Sequence, residues 1–180
     1  MEFLDVVDEN GMPTGETVER AIAHREGVPH RTAHVWIARR KDGQNQILLQ
    51  KRCMEKESYP GCYDISSAGH IPAGVDYIPS ALRELEEELG VKVSGDELIE
   101  CGQMQKDMRD VFRGEPYHDR QFCKVYLLWL DREEEEFTLQ KEEIESVKWM
   151  EFEACKKAVA ENSIKNCIDL DELALIREHF

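Results

Sequence analysis

Along the first 70 residues, short apolar stretches alternate with clusters of turn-forming residues. Phe3, Leu4, Val6 and Val7 form one extended stretch, and Asp8-Glu9-Asn10-Gly11 is a turn cluster. Residues 14–19 read as the returning arm of a hairpin, and residues 20–26 as a short helix stopped by Gly27, with Pro29 beyond it. Residues 34–40 and 46–51 read as two strands joined through Lys41-Asp42-Gly43-Gln44, a hairpin signature. A third extended stretch, 63–68, runs into a glycine-bearing loop over 69–74.

The pattern then changes period. Over 78–89, Ile78, Ala81, Leu82, Leu85 and Leu89 fall on one stripe when each residue is turned by about 100°. That spacing predicts an amphipathic helix, with Asp76 as its N-cap, Pro79 in its first turn and Gly90 as its stop. Glu84, Glu87 and Glu88 share one flank, at spacings of i, i+3 and i+4. Residues 98–105, 120–130 and 147–150 read as further strands, 151–161 and 169–179 as helices, and the acidic run 133–136 as a solvated loop. Hairpins interrupted by helices predict an α/β (α+β) fold in which a mixed sheet is covered by helices. We read residues 1–180 as a single domain, with the hairpin of about the first 30 residues as an extension.

Composition narrows the function classes. The apolar fraction is 41% and the charged fraction 34%, inside the globular range, so disorder as a whole is excluded. No apolar run approaches the roughly 20 residues of a membrane span, and the N-terminus lacks the basic start and apolar stretch of a secretory signal. Twenty-three Lys and Arg face 38 Asp and Glu, a formal net charge of −15. Such a surface repels a bare nucleic-acid backbone, whereas a small polyphosphate stays compatible if divalent cations mediate the contact. The six cysteines contain no Cys-x-x-Cys pair and read as reduced thiols of a cytoplasmic protein.

Three carboxylates on one helical flank repel each other. They become useful when a hard dication such as Mg²⁺, which takes oxygen ligands from carboxylates and from a substrate's phosphates, sits among them.

The stretch GHIPAGVDYIPSALRELEEELGV, residues 69–91, resembles the Nudix box of the MutT-like hydrolases. Gly69 opens it, and Arg83-Glu84-Leu85-Glu86-Glu87-Glu88-Leu89-Gly90-Val91 completes its second half without deviation. One position departs: where the pattern has its first glutamate this chain has Val75, followed by Asp76. The resemblance implies a Nudix fold, with the box as a loop–helix–loop. It also implies that Glu84, Glu87 and Glu88 bind Mg²⁺ or Mn²⁺, with the Gly69 carbonyl a further ligand. Arg83 would orient a glutamate, its own orientation being in question without the glutamate at 75. The base would be Glu84 or Glu87 of the box, or Glu143 of a later loop. The activity implied is pyrophosphatase hydrolysis of a small-molecule diphosphate, such as a nucleoside diphosphate linked to another moiety. The chain leaves the oligomeric state open, a homodimer included.

Two other readings compete with hydrolysis. Preceding segments are similar to the isopentenyl-diphosphate-isomerase-like branch of the family, and His24, His30 and His70 fall near the places of that enzyme's metal-binding histidines. The residue before Gly69-His70, however, is Ala68 and not cysteine, and Asp119 and Gln121 stand where the isomerase has two glutamates. Methyl and amide groups cannot move the required protons. His24 and His30 are then expected as surface or loop residues, and His70 as a polar residue near phosphate. A non-catalytic nucleotide-binding module would erode the acidic triplet, which is intact here. For the substrate, the stretch 107–118 reads as a loop in which Arg109, Arg113 and His118 supply phosphate-binding charge, together with His70. Trp36, Trp129, Trp149 and Tyr77 read first as core or rim aromatics.

Overall fold

The computed structural model describes residues 1–180. Nine strands and four helices follow in the order β1 (Phe3–Val7), β2 (Pro13–Glu19), α1 (Arg20–Glu26), β3 (His30–Lys41), β4 (Gln44–Arg52), β5 (Tyr63–Asp64), β6 (Ser67–His70), α2 (Tyr77–Leu89), β7 (Ile99–Phe112), β8 (Glu115–Trp129), β9 (Ile144–Glu151), α3 (Phe152–Ala160) and α4 (Leu170–Arg177). The expected mixed sheet is present. Its strand order is β5-β4-β3-β8-β7, with β6 pairing with β3 and β9 with β4, while β1 and β2 form a separate antiparallel pair.

Strand β3 is the spine. It runs parallel to β8 along His30–Ala38 and is antiparallel to β4 and β6. Both faces are covered, so its sequence is almost continuously buried rather than alternating. Ala33, Val35 and Ile37 share a core with Tyr126, Leu128 and the α2 residues Ala81, Leu85 and Leu89. Trp36 and Ala38 point the other way and pack with Val125, Leu127, Phe152, Cys155, Leu173 and Ile176 under α3 and α4. Helices therefore sandwich the sheet.

The edge of β3 opposite β8 is divided between two partners. Ala38–Lys41 pairs with β4, whereas Thr32–Val35 pairs with β6. Beyond Ile47, β4 no longer pairs with β3 and takes β5 at Gln50 and Lys51, while β9 runs alongside it from Gln46 to Arg52. The parting of β3 from β4 opens the sheet, and residues flanking the gap line the main cavity.

Three expectations change. Ile78 is 39% exposed, because the first turn of α2 overhangs the core and rests against Gly95. Residues 63–68 are not one strand but parts of two short ones, β5 and β6. The predicted loop 107–118 is the far end of a continuous hairpin, paired from Ile99↔Leu127 to Phe112↔Glu115. Its turn is the two residues Arg113 and Gly114, at φ 53° and 85°, the positive values that a tight two-residue hairpin turn demands. Backbone pairing thus outweighs the polarity that made this stretch read as a loop.

Candidate active site

Helix α2 begins where Asp76 accepts a hydrogen bond from the Tyr77 amide, and its apolar stripe fixes which flank faces the cavity. That flank presents Glu84, Glu87 and Glu88 to a cavity of about 1310 Å³, which Gly69, His70, Arg83, Asp119, Gln121 and Glu143 also line. The three glutamates differ in environment. Glu88 is buried, and its Oε2 has no hydrogen-bond partner; the hydroxyl of Ser67 is likewise buried and unpartnered. Burial, with the charges of Glu84 and Glu143, pushes Glu88 up to about 8. Glu84 is also raised, chiefly by burial, although Arg83 works against it. Glu87 is the solvent-facing member, its side chain 58% exposed.

Arg83 Nη2 donates to Glu84 Oε1 at 2.5 Å, and its Nε stands 3.8 Å from Glu87. With Val75 in the earlier position, the guanidinium finds its partners within the helix. Val75 instead packs against the α2 core, and its carbonyl accepts from Arg31 at 2.9 Å. Gly69 is required by proximity: a Cβ there would collide with the Glu84 side chain. Glu143, at the approach to β9, is ion-paired with Lys56.

A dication suits the α2 flank. An orphaned carboxylate oxygen, two carboxyls raised by burial and an all-oxygen donor set match what Mg²⁺ or Mn²⁺ takes.

Strands β6 and β3 bring a second group together. His24 of α1, His30 of β3 and His70 of β6 converge, with Asp119 of β8 beside them. Neither His24 nor His30 is a surface residue: both are buried, His30 completely. Burial is the largest influence on His24 and holds it down at about 4, despite the neighbouring Asp119; burial and nearby cations lower His70 as well. Both shifts favour the neutral imidazole in His24 and His70. The sequence gives His24 and His30 as surface or loop residues because His70 lies 40 and 46 residues from His30 and His24, and no local spacing announces that the strands bury them together.

Arg109, Arg113 and His118 are not brought to the cavity. Arg109 is exposed on β7, Arg113 donates to the Glu55 carbonyl at 2.8 Å, and His118 pairs with Asp107 at 2.8 Å and packs beside Gly27. The cations that do line it are Arg20, Arg52, Lys56, Arg83 and Lys106, the last held against Glu172 at 2.9 Å. Trp36 is a core residue with its Nε1 donating to Glu172, and neither it nor Trp129, Trp149 or Tyr77 lines the cavity.

The comparisons with known proteins bear on the family and the fold. The model of the NUDIX domain matches residues 28–170. The chain is 42% identical over 154 residues to Nudix hydrolase 3 of Arabidopsis thaliana, covering 84% of this chain and 19% of that one. It is 36% identical over 143 residues to an uncharacterised Nudix hydrolase of Clostridium acetobutylicum, covering 79% and 66%. The chain thus spans about a fifth of the first relative and just under two thirds of the second. Among solved structures, a Deinococcus radiodurans protein superimposes with a TM-score of 0.69 at 21% identity, covering 98% of both chains. The NUDIX domain of Shewanella oneidensis NrtR, solved in complex with ADP ribose, gives 0.57 at 17% identity, over 83% and 86%.

Proposed function

This chain belongs to the NUDIX family, and from that premise we propose that it is a divalent-metal-dependent hydrolase that splits the phosphoanhydride bond of an organic diphosphate. The observation that carries the reading is the convergence of Glu84, Glu87 and Glu88 on one wall of the cavity, with Gly69 packed against Glu84 and Glu143 in the same lining.

Glu84, Glu87 and Glu88 are the residues that hold the ion, Mg²⁺ or Mn²⁺, with the Gly69 carbonyl as a further donor. When bound, the ion neutralises the phosphoryl oxygens that would repel an incoming hydroxide and lowers the pKa of water. Arg83 fixes the Glu84 carboxylate and partly offsets the repulsion within the triplet. Glu143, oriented by Lys56, is the carboxylate set to take the proton from the attacking water. Glu84 and Glu87 are engaged with Arg83, which makes them ligands first.

For the remainder of the substrate the lining is polar, with Gln50, Gln105, Lys106, Asn166 and Asp169. Amide and charged groups suit the hydroxyls and ring edges of a nucleoside or sugar better than a hydrocarbon tail. The ADP ribose held by the structurally similar NrtR domain belongs to the same class, and a nucleoside diphosphate linked to a second moiety is our choice. Isomerisation of a double bond is not: the Ala68 methyl has no acidic proton to transfer, and the Gln121 amide is occupied by Asp119 and Thr32.

The test is a panel of nucleoside diphosphate sugars, dinucleoside polyphosphates and prenyl diphosphates, incubated with Mg²⁺ or Mn²⁺ and read by monophosphate release. We expect hydrolysis of at least one nucleoside class and no double-bond migration in isopentenyl diphosphate. Glu87→Gln should cut the rate by orders of magnitude with an unchanged fold. An unimpaired Glu87→Gln enzyme, or no hydrolysis across the panel, would overturn the reading.

A further inference from the structure

The loop that carries the chain from Gly69 into α2 is held by a residue outside the family domain. Asp5 of β1 lies beyond residues 28–170, the stretch that the NUDIX model matches. Its Oδ2 accepts from Arg31 Nη2 at 2.8 Å and from the Gly74 amide at 3.0 Å. The same Arg31 nitrogen donates to the Val75 carbonyl at 2.9 Å. Its guanidinium lies 5.4 Å over the ring of Tyr77, the first residue of α2. One carboxylate and one guanidinium thus grip two successive residues of the loop. Backbone contacts reinforce the grip. The Ala73 amide donates to the Phe3 carbonyl at 2.8 Å, the Ile71 amide donates to the Arg31 carbonyl at 3.1 Å, and Leu4 bridges to Pro72.

The pair is nearly buried, with side-chain exposures of 8% for Arg31 and 12% for Asp5, and Arg31 Nε is buried without a partner. For stability alone this is a poor device, because apolar residues of the same volume hold an interior as well or better. What a buried ion pair adds is direction. Arg31 stands on the same face of β3 as Ala33 and Val35, which pack in the α2 core. Asp5 lies where the register of β1 with β2 shifts, an irregularity of the kind that re-aims a side chain. Asp5 does not line the cavity, so any influence it has on the site passes through the residues it holds.

We propose that Asp5 is a positioning residue for the metal-binding helix, acting through Arg31 and the Gly74 amide to set where α2 starts and hence where its glutamates stand. The proposal rests on the hydrolase reading above and adds that the N-terminal hairpin is part of the scaffold of the site. Residues 71–76 are the whole connection between β6, which contains Gly69, and α2, which contains Glu84. Gly69 and Glu84 are packed so closely that no Cβ fits between them, so a shift of this connection drives one against the other. At position 75 the side chain is apolar, and it is the backbone carbonyl, held by Arg31, that engages a cation. The carboxylate that orients that cation comes from position 5.

The experiment uses the full chain. Mn²⁺ binding is read by electron paramagnetic resonance, kcat and KM by steady-state kinetics at saturating Mn²⁺, and exchange of the Gly74 amide by NMR of the metal-free protein. In the parent that amide should be protected, although it lies in a loop. Asp5→Asn and Arg31→Gln should each weaken Mn²⁺ binding by about 10-fold. Each should also lower kcat by about 10- to 100-fold with KM for the diphosphate unchanged. The double variant should lose less than the two single losses combined, because both break one contact. Asp8→Ala is the control: Asp8 Oδ1 accepts from the Asn10 and Met12 amides at the hairpin turn, away from the loop, and its loss should leave Mn²⁺ affinity and kcat unchanged. Mn²⁺ affinity equal to the parent's in folded Asp5→Asn would overturn the proposal, as would equal losses in Asp8→Ala. A freely exchanging Gly74 amide in the parent would overturn it without any variant, which covers an Asp5→Asn chain that fails to fold. A parent that neither binds Mn²⁺ nor hydrolyses a diphosphate sinks the hydrolase reading and this proposal with it. Failure of the proposal alone shows only between variants or at Gly74.

Discussion

His34 donates from Nδ1 to the Glu172 carboxylate at 2.9 Å, tying the central strand β3 to the last helix, α4, across 138 residues of sequence. Glu172 is completely buried and also accepts from Trp36 Nε1 at 3.0 Å and Lys106 Nζ at 2.9 Å. Burial opposes the charge on each partner and is outweighed. Glu172 is held down at about 2 by His34 and Lys106, and His34 is raised to about 10 by Cys123 and Glu172.

These shifts set a pH window. The stabilisation from Glu172 is present above its ordinary value of 4.5 and is lost as pH falls toward 2. That from His34 is present below 6.5 and is lost as pH rises toward 10. The pair therefore contributes most between pH 4.5 and 6.5. Denaturant midpoints measured across pH should show Glu172→Gln less stable by about 3–5 kcal/mol inside that window, with a flatter profile outside it. A variant whose profile runs parallel to the parent's would contradict this assignment.

Gly69→Ala should be damaging without changing any charge. The added methyl collides with the Glu84 side chain, and a displacement of about 1 Å at a reacting centre costs about 100-fold in rate. Steady-state kinetics at saturating metal should show the loss in kcat, with the circular dichroism spectrum retained.

Leu85 is fully buried between α2 and the sheet, one residue after Glu84. Leu85→Ala should cost about 2–5 kcal/mol in unfolding free energy. Because the stripe sets the rotation of the helix, metal affinity should fall as well. Full stability in urea would show that the helix is anchored by something other than this stripe.

Arg109→Ala and Arg113→Ala should leave KM for the diphosphate unchanged, since neither side chain lines the cavity. Lys106→Ala, by contrast, should raise KM and lower stability together, because Lys106 lines the cavity and also neutralises Glu172. A rise in KM for the two arginine variants alone would return the hairpin to the substrate site.

Much of the fold is legible locally. The α2 stripe, the Asp76 cap and the Asp42-Gly43 turn follow from spacing and turn chemistry that involve only nearby residues. Two misreadings have the same origin: Ile78 has the right spacing but lies beyond the edge of the layer it would cover, and 107–118 is polar but pairs along its length. Neither edge nor partner is encoded in a window of a few residues.

The same division runs through the chemistry. By itself the sequence determined that Glu84, Glu87 and Glu88 share a flank beside the loop beginning at Gly69, because a helix repeats every 3.6 residues wherever it is placed. Only the tertiary structure decided that His24, His30, His70 and Asp119 meet, and that Lys106 rather than Arg109 reaches the cavity. Those meetings depend on strand register: His30 aligns with Gln121 across β3 and β8, and Thr32 with His70 across β3 and β6. Register is set by the burial of whole strand faces, and a slip of one residue would send each of these side chains to the opposite side.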